Sequence, residues 1–155
     1  MKTKNHNSID RTREMLLPLS THIVRSLSLE NHLALAAIRT GWGAPRIMKV
    51  LTRALYMTYF LIERVASDDE MALFRDAEAV LDQSISTAEK AGTWEVTAEQ
   101  SPILEKILLW FDEAVSRVPM CRYIECMERF YRFAQSAEKS PFPDSMPSVR
   151  ENHNC

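Results

Sequence analysis

The 155-residue chain, 46% hydrophobic and 26% charged, has the length and composition of one soluble globular domain with a single core. Its three cysteines are too few and odd in number for a disulfide framework. No run approaches the roughly 18 to 20 apolar residues of a membrane span, because Lys49, Arg53, Glu63 and Arg64 interrupt the most apolar region. A net charge of −2 hides an uneven spread: residues 1–66 hold ten Lys/Arg against four Asp/Glu (+6), and residues 67–117 hold four against twelve (−8). Such asymmetry marks a nucleic-acid face beside an acidic one, two faces that attract across a subunit interface, or simply solvated helix faces.

The N-terminal stretch MKTKNHNSIDRTRE carries basic residues with no apolar run behind them, so it does not read as a secretory signal. Residues 1–15 are expected to be a flexible segment, residues 16–140 a helical domain, and residues 141–155 a disordered tail with prolines at 141, 143 and 147. The first strong grammar lies in SLENHLALAAIRTGWGAPRIMKVLTRALYMTYFL, residues 28–61, which reads as helix, tight turn, helix. Ser28 is placed to cap a helix running to Thr40, Gly41 to close it in a left-handed conformation, and Pro45 to open the next helix, where a missing N–H costs nothing.

In that second helix, Ile47, Val50, Leu51, Ala54, Thr58, Leu61, Ile62 and Val65 share one face, and the helix is expected to last to about Ala66. Between Tyr56 and Ile62 it is apolar on nearly all sides, which suits a helix at the centre of a bundle. Arg46, Lys49 and Arg53 form a basic stripe on the other face, which Tyr56 and Phe60 continue as a candidate partner interface. Ala37, Gly41 and Ile47 also stand at helix-turn-helix spacings, so Arg39, Arg46, Lys49 and Arg53 are candidate nucleic-acid contacts.

Further along, Ser67 followed by Asp68, Asp69 and Glu70 signals a capped helix start, and Phe74, Ala77, Leu81, Ile85 and Ala88 make an apolar stripe up to Gly92. Residues 93–100 read as a connector. Ser101-Pro102 then opens a helix whose apolar face includes Leu104, Ile107, Leu108, Phe111 and Val115, and Pro119 ends it. A last helix from about Met120 to Ala137 is expected to turn Tyr123, Ile124, Met127, Tyr131 and Ala134 to one side. Five helices without a convincing strand predict an all-α, single-domain bundle with a helix-turn-helix-like hairpin near its N-terminus.

Residues with catalytic chemistry are present but do not form a motif. His6, His22, His32 and His153 are scattered, and all three glycines sit at helix boundaries, so none is left to cradle a phosphate. Cys121 and Cys126 point about 140° apart on a helix, and Arg122 is the neighbour that could lower a thiol pKa. Trp42, Trp94 and Trp110 read as packing anchors. The expectation is a non-enzymatic, cytoplasmic protein with no catalytic residue, metal, cofactor, small-molecule substrate or membrane contact.

The phrases RSLSLENHLALAAIRTGWG and LTRALYMTYFL, with LLPLS before them and RFAQSAEKSPF near the end, resemble short all-helical accessory proteins of proteobacterial plasmids and integrative elements, some labelled Fis-family transcriptional regulators. The likeness covers roughly residues 16–141 and implies a mobile-element accessory protein. A Fis-type protein ends in a basic helix-turn-helix, whereas this chain ends in a mixed-charge helix and a Pro-rich tail. The function expected first is that of a homodimeric DNA-binding transcriptional regulator; the alternative is a protein-binding antagonist of a host defence nucleoprotein complex, anti-CRISPR-like in its action.

Overall fold

The computed structural model describes residues 12–144, Val65 excepted. Five long helices form an all-α domain: α1 (Thr21–Arg39), α2 (Pro45–Ile62), α3 (Asp68–Ala91), α4 (Ser101–Arg117) and α5 (Met120–Gln135). A short helical turn at residues 12–15 precedes them. The link from that turn crosses to the start of α5, where the Met120 N–H donates to the Leu17 carbonyl at 2.8 Å.

The helix α1 starts two turns earlier than Ser28 suggests. Ser20 is the cap and accepts from the Ile23 N–H at 3.4 Å. Val24 and Leu27 extend the stripe of Asn31, Ala34, Leu35 and Ile38 at three-four spacing, so the inward face continues upstream of Ser28. The other end is as expected: Gly41 adopts φ +85°, and the Trp42 N–H returns to the Ala37 carbonyl at 2.8 Å, closing a Schellman motif.

The helix α2 is the hub and packs against all four other long helices. Every residue from Ala54 to Phe60 is buried, as a helix enclosed on all sides requires. This corrects two expectations. Its core face is centred on Met48, Leu51 and Leu55, with Ile47, Val50, Leu61 and Ile62 only partly buried. Tyr56 and Phe60 are core residues, 7% and 4% exposed, and present no partner interface. The Tyr56 ring meets Phe133 and Phe142 edge-on, its hydroxyl donates to Glu78 at 2.7 Å, and Phe60 lies beneath the Arg129 guanidinium.

Ser67 and Glu70 form the reciprocal capping box of α3, and Gly92 closes that helix at φ +74°. Before α4, Thr97 and Gln100 exchange side-chain and backbone hydrogen bonds in the same manner. On α5 the inward face is rotated from its expected position. Cys126 is buried, with Tyr123, Met127, Phe130 and Phe133 packed beside it, while Tyr131 is 57% exposed and Ala134 is also at the surface.

The Cys126 thiol donates to the Phe60 carbonyl at 3.4 Å. Burial pushes its pKa up, outweighing the lowering effect of Arg122 and Arg129, so the activated thiolate considered from the sequence does not arise here. The first residues of the expected tail are ordered against the domain. Phe142 is buried against Tyr56, Tyr59 and Phe74, Ser140 donates to Glu78 at 3.0 Å, and Arg75 donates to the Pro143 carbonyl at 3.1 Å. Residues 145–155 of the expected tail, and residues 1–11 of the expected N-terminal segment, lie outside the described residues.

Burial raises the pKa of Tyr56, Tyr59 and Tyr123, with Glu78 adding to the effect at Tyr56 and Glu63 at Tyr59. Phenols whose folded pKa exceeds the unfolded value near 10 contribute stability fully below that pH and lose it as pH rises toward the folded value. The denaturation midpoint should therefore hold to about pH 10 and fall above it. Unfolding should also release a burst of tyrosinate absorbance, and a midpoint flat through pH 11 would contradict these burials.

Candidate recognition groove

The groove grows from the α1–α2 turn. Gly43 presses that turn against the connector: a Cβ at this position would lie 2.4 Å from Trp94 Cβ and 2.6 Å from the Trp94 carbonyl oxygen. Neither atom is the end of a flexible side chain, so Gly43→Ala should force the turn and connector apart and cost about 1 to 3 kcal/mol. Chemical denaturation measures it. Gly41→Ala should also destabilise, through its positive φ, but without disturbing Trp94 fluorescence.

With the turn held there, the first turns of α2 line a groove of about 650 Å³. Met48, Val50, Ile85, Trp94 and Phe130 supply apolar surface, Tyr131 stands at the edge, and Arg46, Lys49, Arg53 and Glu30 supply charge. Ala44 gives α2 no side-chain cap, and no acidic residue occupies its first turn, so the positive helix end adds to the field of the cations.

The four candidate cations have different fates. Arg53 donates to Glu30 at 2.7 Å within the groove. Arg39 lies on the α1–α4 seam, where it meets Glu105 at 2.5 Å, and is not a groove residue. Arg46 and Lys49 are exposed and have no ionic partner among the described residues. Three of the four candidates, the members of the stripe, therefore come together at the groove, and two of these are uncompensated.

Trp42 is no packing anchor. It is 78% exposed, one residue before Gly43 and so adjacent in sequence to the contact with Trp94. Trp94 and Trp110 are half-buried, and Trp110 packs on Phe74. Sequence reasoning also missed Ile85, Phe130 and Tyr131 as groove residues, because they reach the site from α3 and α5 through tertiary packing. The extra apolar positions on α5, too many for one stripe, were the available signal.

Elsewhere, a cleft of about 440 Å³ between the end of α2 and α5 is lined by charges of both signs, with Arg129 bridging Glu63 and Arg122 reaching Glu125 at 3.4 Å. The Arg129–Glu63 pair ties α5 to the end of α2, the Arg122–Glu125 pair lies within α5, and both leave less net charge to attract a partner. Among the described residues no three His, Cys, Asp or Glu side chains converge as a metal-binding group, and no helix is long and apolar enough to cross a membrane.

Set against known proteins, the chain matches no family model, no curated protein and no solved structure.

Proposed function

We propose that this protein acts by binding, as an accessory factor of a mobile element, and that it docks a protein partner in the groove at the N-terminal end of α2. The observation that carries this reading is the pairing of two uncompensated cations, Arg46 and Lys49, with aromatic and aliphatic walls. Apolar surface flanked by unpaired charge, with the exposed Trp42 and Tyr131 nearby, has the composition of a protein-interaction hot spot. The setting proposed is the cytoplasm, where an antagonist of a host nucleoprotein complex would meet its target.

A second reading, a homodimeric DNA-binding regulator, draws on the same exposed cations and on the uncapped positive end of α2. It has less support from the geometry. A recognition helix must offer a solvent-exposed face to the major groove, whereas α2 packs against all four other long helices and is buried from Ala54 to Phe60, which leaves only its first turns open. Two free cations per protomer also imply a salt slope of only about −4 in log–log terms for the homodimer, at about −0.9 per neutralised phosphate, which is modest for a regulator of duplex DNA.

Affinity purification of the tagged protein from its native host, with a nuclease-treated sample in parallel, separates the two. A protein partner that persists after nuclease is expected. Loss of every partner on nuclease treatment would transfer the conclusion to DNA.

A further inference from the structure

Building on the proposal that the groove docks a protein, we infer that its occupant is an amphipathic helical segment carrying two carboxylates about one turn apart beside apolar side chains. The argument starts from what the surface cannot do. Among the described residues there is no strand, only an isolated bridge between Pro18 and Pro119, so no sheet edge is available to add a partner strand. Recognition then runs through side chains, and of the side-chain modes helix-in-groove docking is the one that matches an apolar wall beside two cations at one-turn spacing.

The charges then set the chemistry and the direction. Arg46 and Lys49 are three residues apart on α2, which puts their Cβ atoms about 5 to 6 Å apart on one face. Acidic side chains at i and i+3 or i+4 of a facing helix have the same spacing, so each cation can take one carboxylate. Arg53 is already neutralised by Glu30. The groove is therefore cationic around Arg46 and Lys49 and balanced at Arg53, which fixes which part of the partner is acidic.

The apolar surface decides between classes of macromolecule. Val50, Ile85, Trp94 and Phe130 offer nothing to a phosphate backbone, and covering them with DNA would strip water from them without burying apolar surface of the ligand. A helix with leucine- or phenylalanine-like side chains beside its carboxylates satisfies both halves of the groove.

The test selects displayed random peptides of about 18 residues on the intact protein, with counter-selection on the Arg46→Glu, Lys49→Glu double variant. Both substitutions are at exposed positions, and circular dichroism checks that the helices persist. The expected consensus has Asp or Glu at i and i+3 or i+4 with large apolar residues on the same face. Binding should weaken at least tenfold in the double variant, and also in Ile85→Arg, which blocks the apolar wall without touching the cations. Peptides that are basic or free of acids, no enrichment at all, equal binding by the double variant, or tighter binding of a random-sequence duplex DNA than of the best peptide would each overturn the inference. If the peptides fail while the double variant still loses the partner captured from the host, only the ligand class is wrong. If that capture also survives charge reversal, docking at this groove is wrong as well.

Discussion

Phe74→Ala should lower the free energy of unfolding by about 3 to 5 kcal/mol, a large share of the roughly 5 to 15 kcal/mol of a typical domain. Phe74 is 0% exposed and joins three parts of the chain: its ring meets Tyr59 of α2, Trp110 of α4 and Phe142 of the C-terminal segment. Removing it takes away a buried aromatic side chain and leaves a cavity that the surrounding helices cannot close, since α2 is already held by its other neighbours. Urea denaturation of the wild type, the variant and the exposed-site control Leu109→Ala measures the effect; Leu109 is 60% exposed and should change stability by no more than about 0.5 kcal/mol. A double-mutant cycle between Phe74→Ala and Phe142→Ala should show a coupling of about 0.5 to 1.5 kcal/mol, the range of one aromatic pair. Strict additivity would mean that Phe142 does not dock where described.

The second large effect concerns binding and should leave the fold alone. Reversing both Arg46 and Lys49 to Glu should weaken the partner by about 100-fold or more, because two charge-assisted contacts, each of roughly 1.5 to 3 kcal/mol, become repulsions. Neither side chain has an ionic partner among the described residues, so thermal stability should be nearly unchanged. The paired arginines supply the contrast. Arg39→Ala removes only an exposed pair with Glu105, worth at most about 1 kcal/mol, and should leave binding untouched. Arg53→Ala releases Glu30 into the groove, so an acidic ligand should be weakened modestly by the added negative charge. Titration calorimetry across the four proteins orders these effects. Equal losses for Arg39→Ala and the double reversal would mean that overall charge, and no particular surface, drives the association.

Much of the architecture was legible because it is written in local chemistry. The Gly41 and Gly92 closures, Pro45 at a helix start and the Ser67–Glu70 capping box each depend on a few adjacent residues, and each is found where those residues imply it. The central place of α2 was legible too, since a helix apolar on every side has no face to give to water. Errors arose where a stripe was ambiguous. Ser28 is a good cap residue inside a helix already begun at Ser20, and only the continuation of the stripe through Val24 and Leu27 reveals it. Tyr56 and Phe60 lie in line with the basic stripe on a helical wheel, but α3, α5 and the Phe142 segment cover them. The groove was half legible. Its cations share one helix and stand out in the sequence, whereas Ile85, Trp94, Phe130 and Tyr131 arrive from three other segments, a convergence that no local pattern records.

The central claim is that recognition takes place at one end of α2, and its most direct test is amide and indole chemical-shift mapping of the labelled protein titrated with the partner captured from the host. Perturbations concentrated on Arg46, Lys49, Val50, Ile85, Trp94 and Tyr131 are the predicted result. A footprint centred on the outer faces of α1 and α4, with those six signals unmoved at saturation, would contradict it.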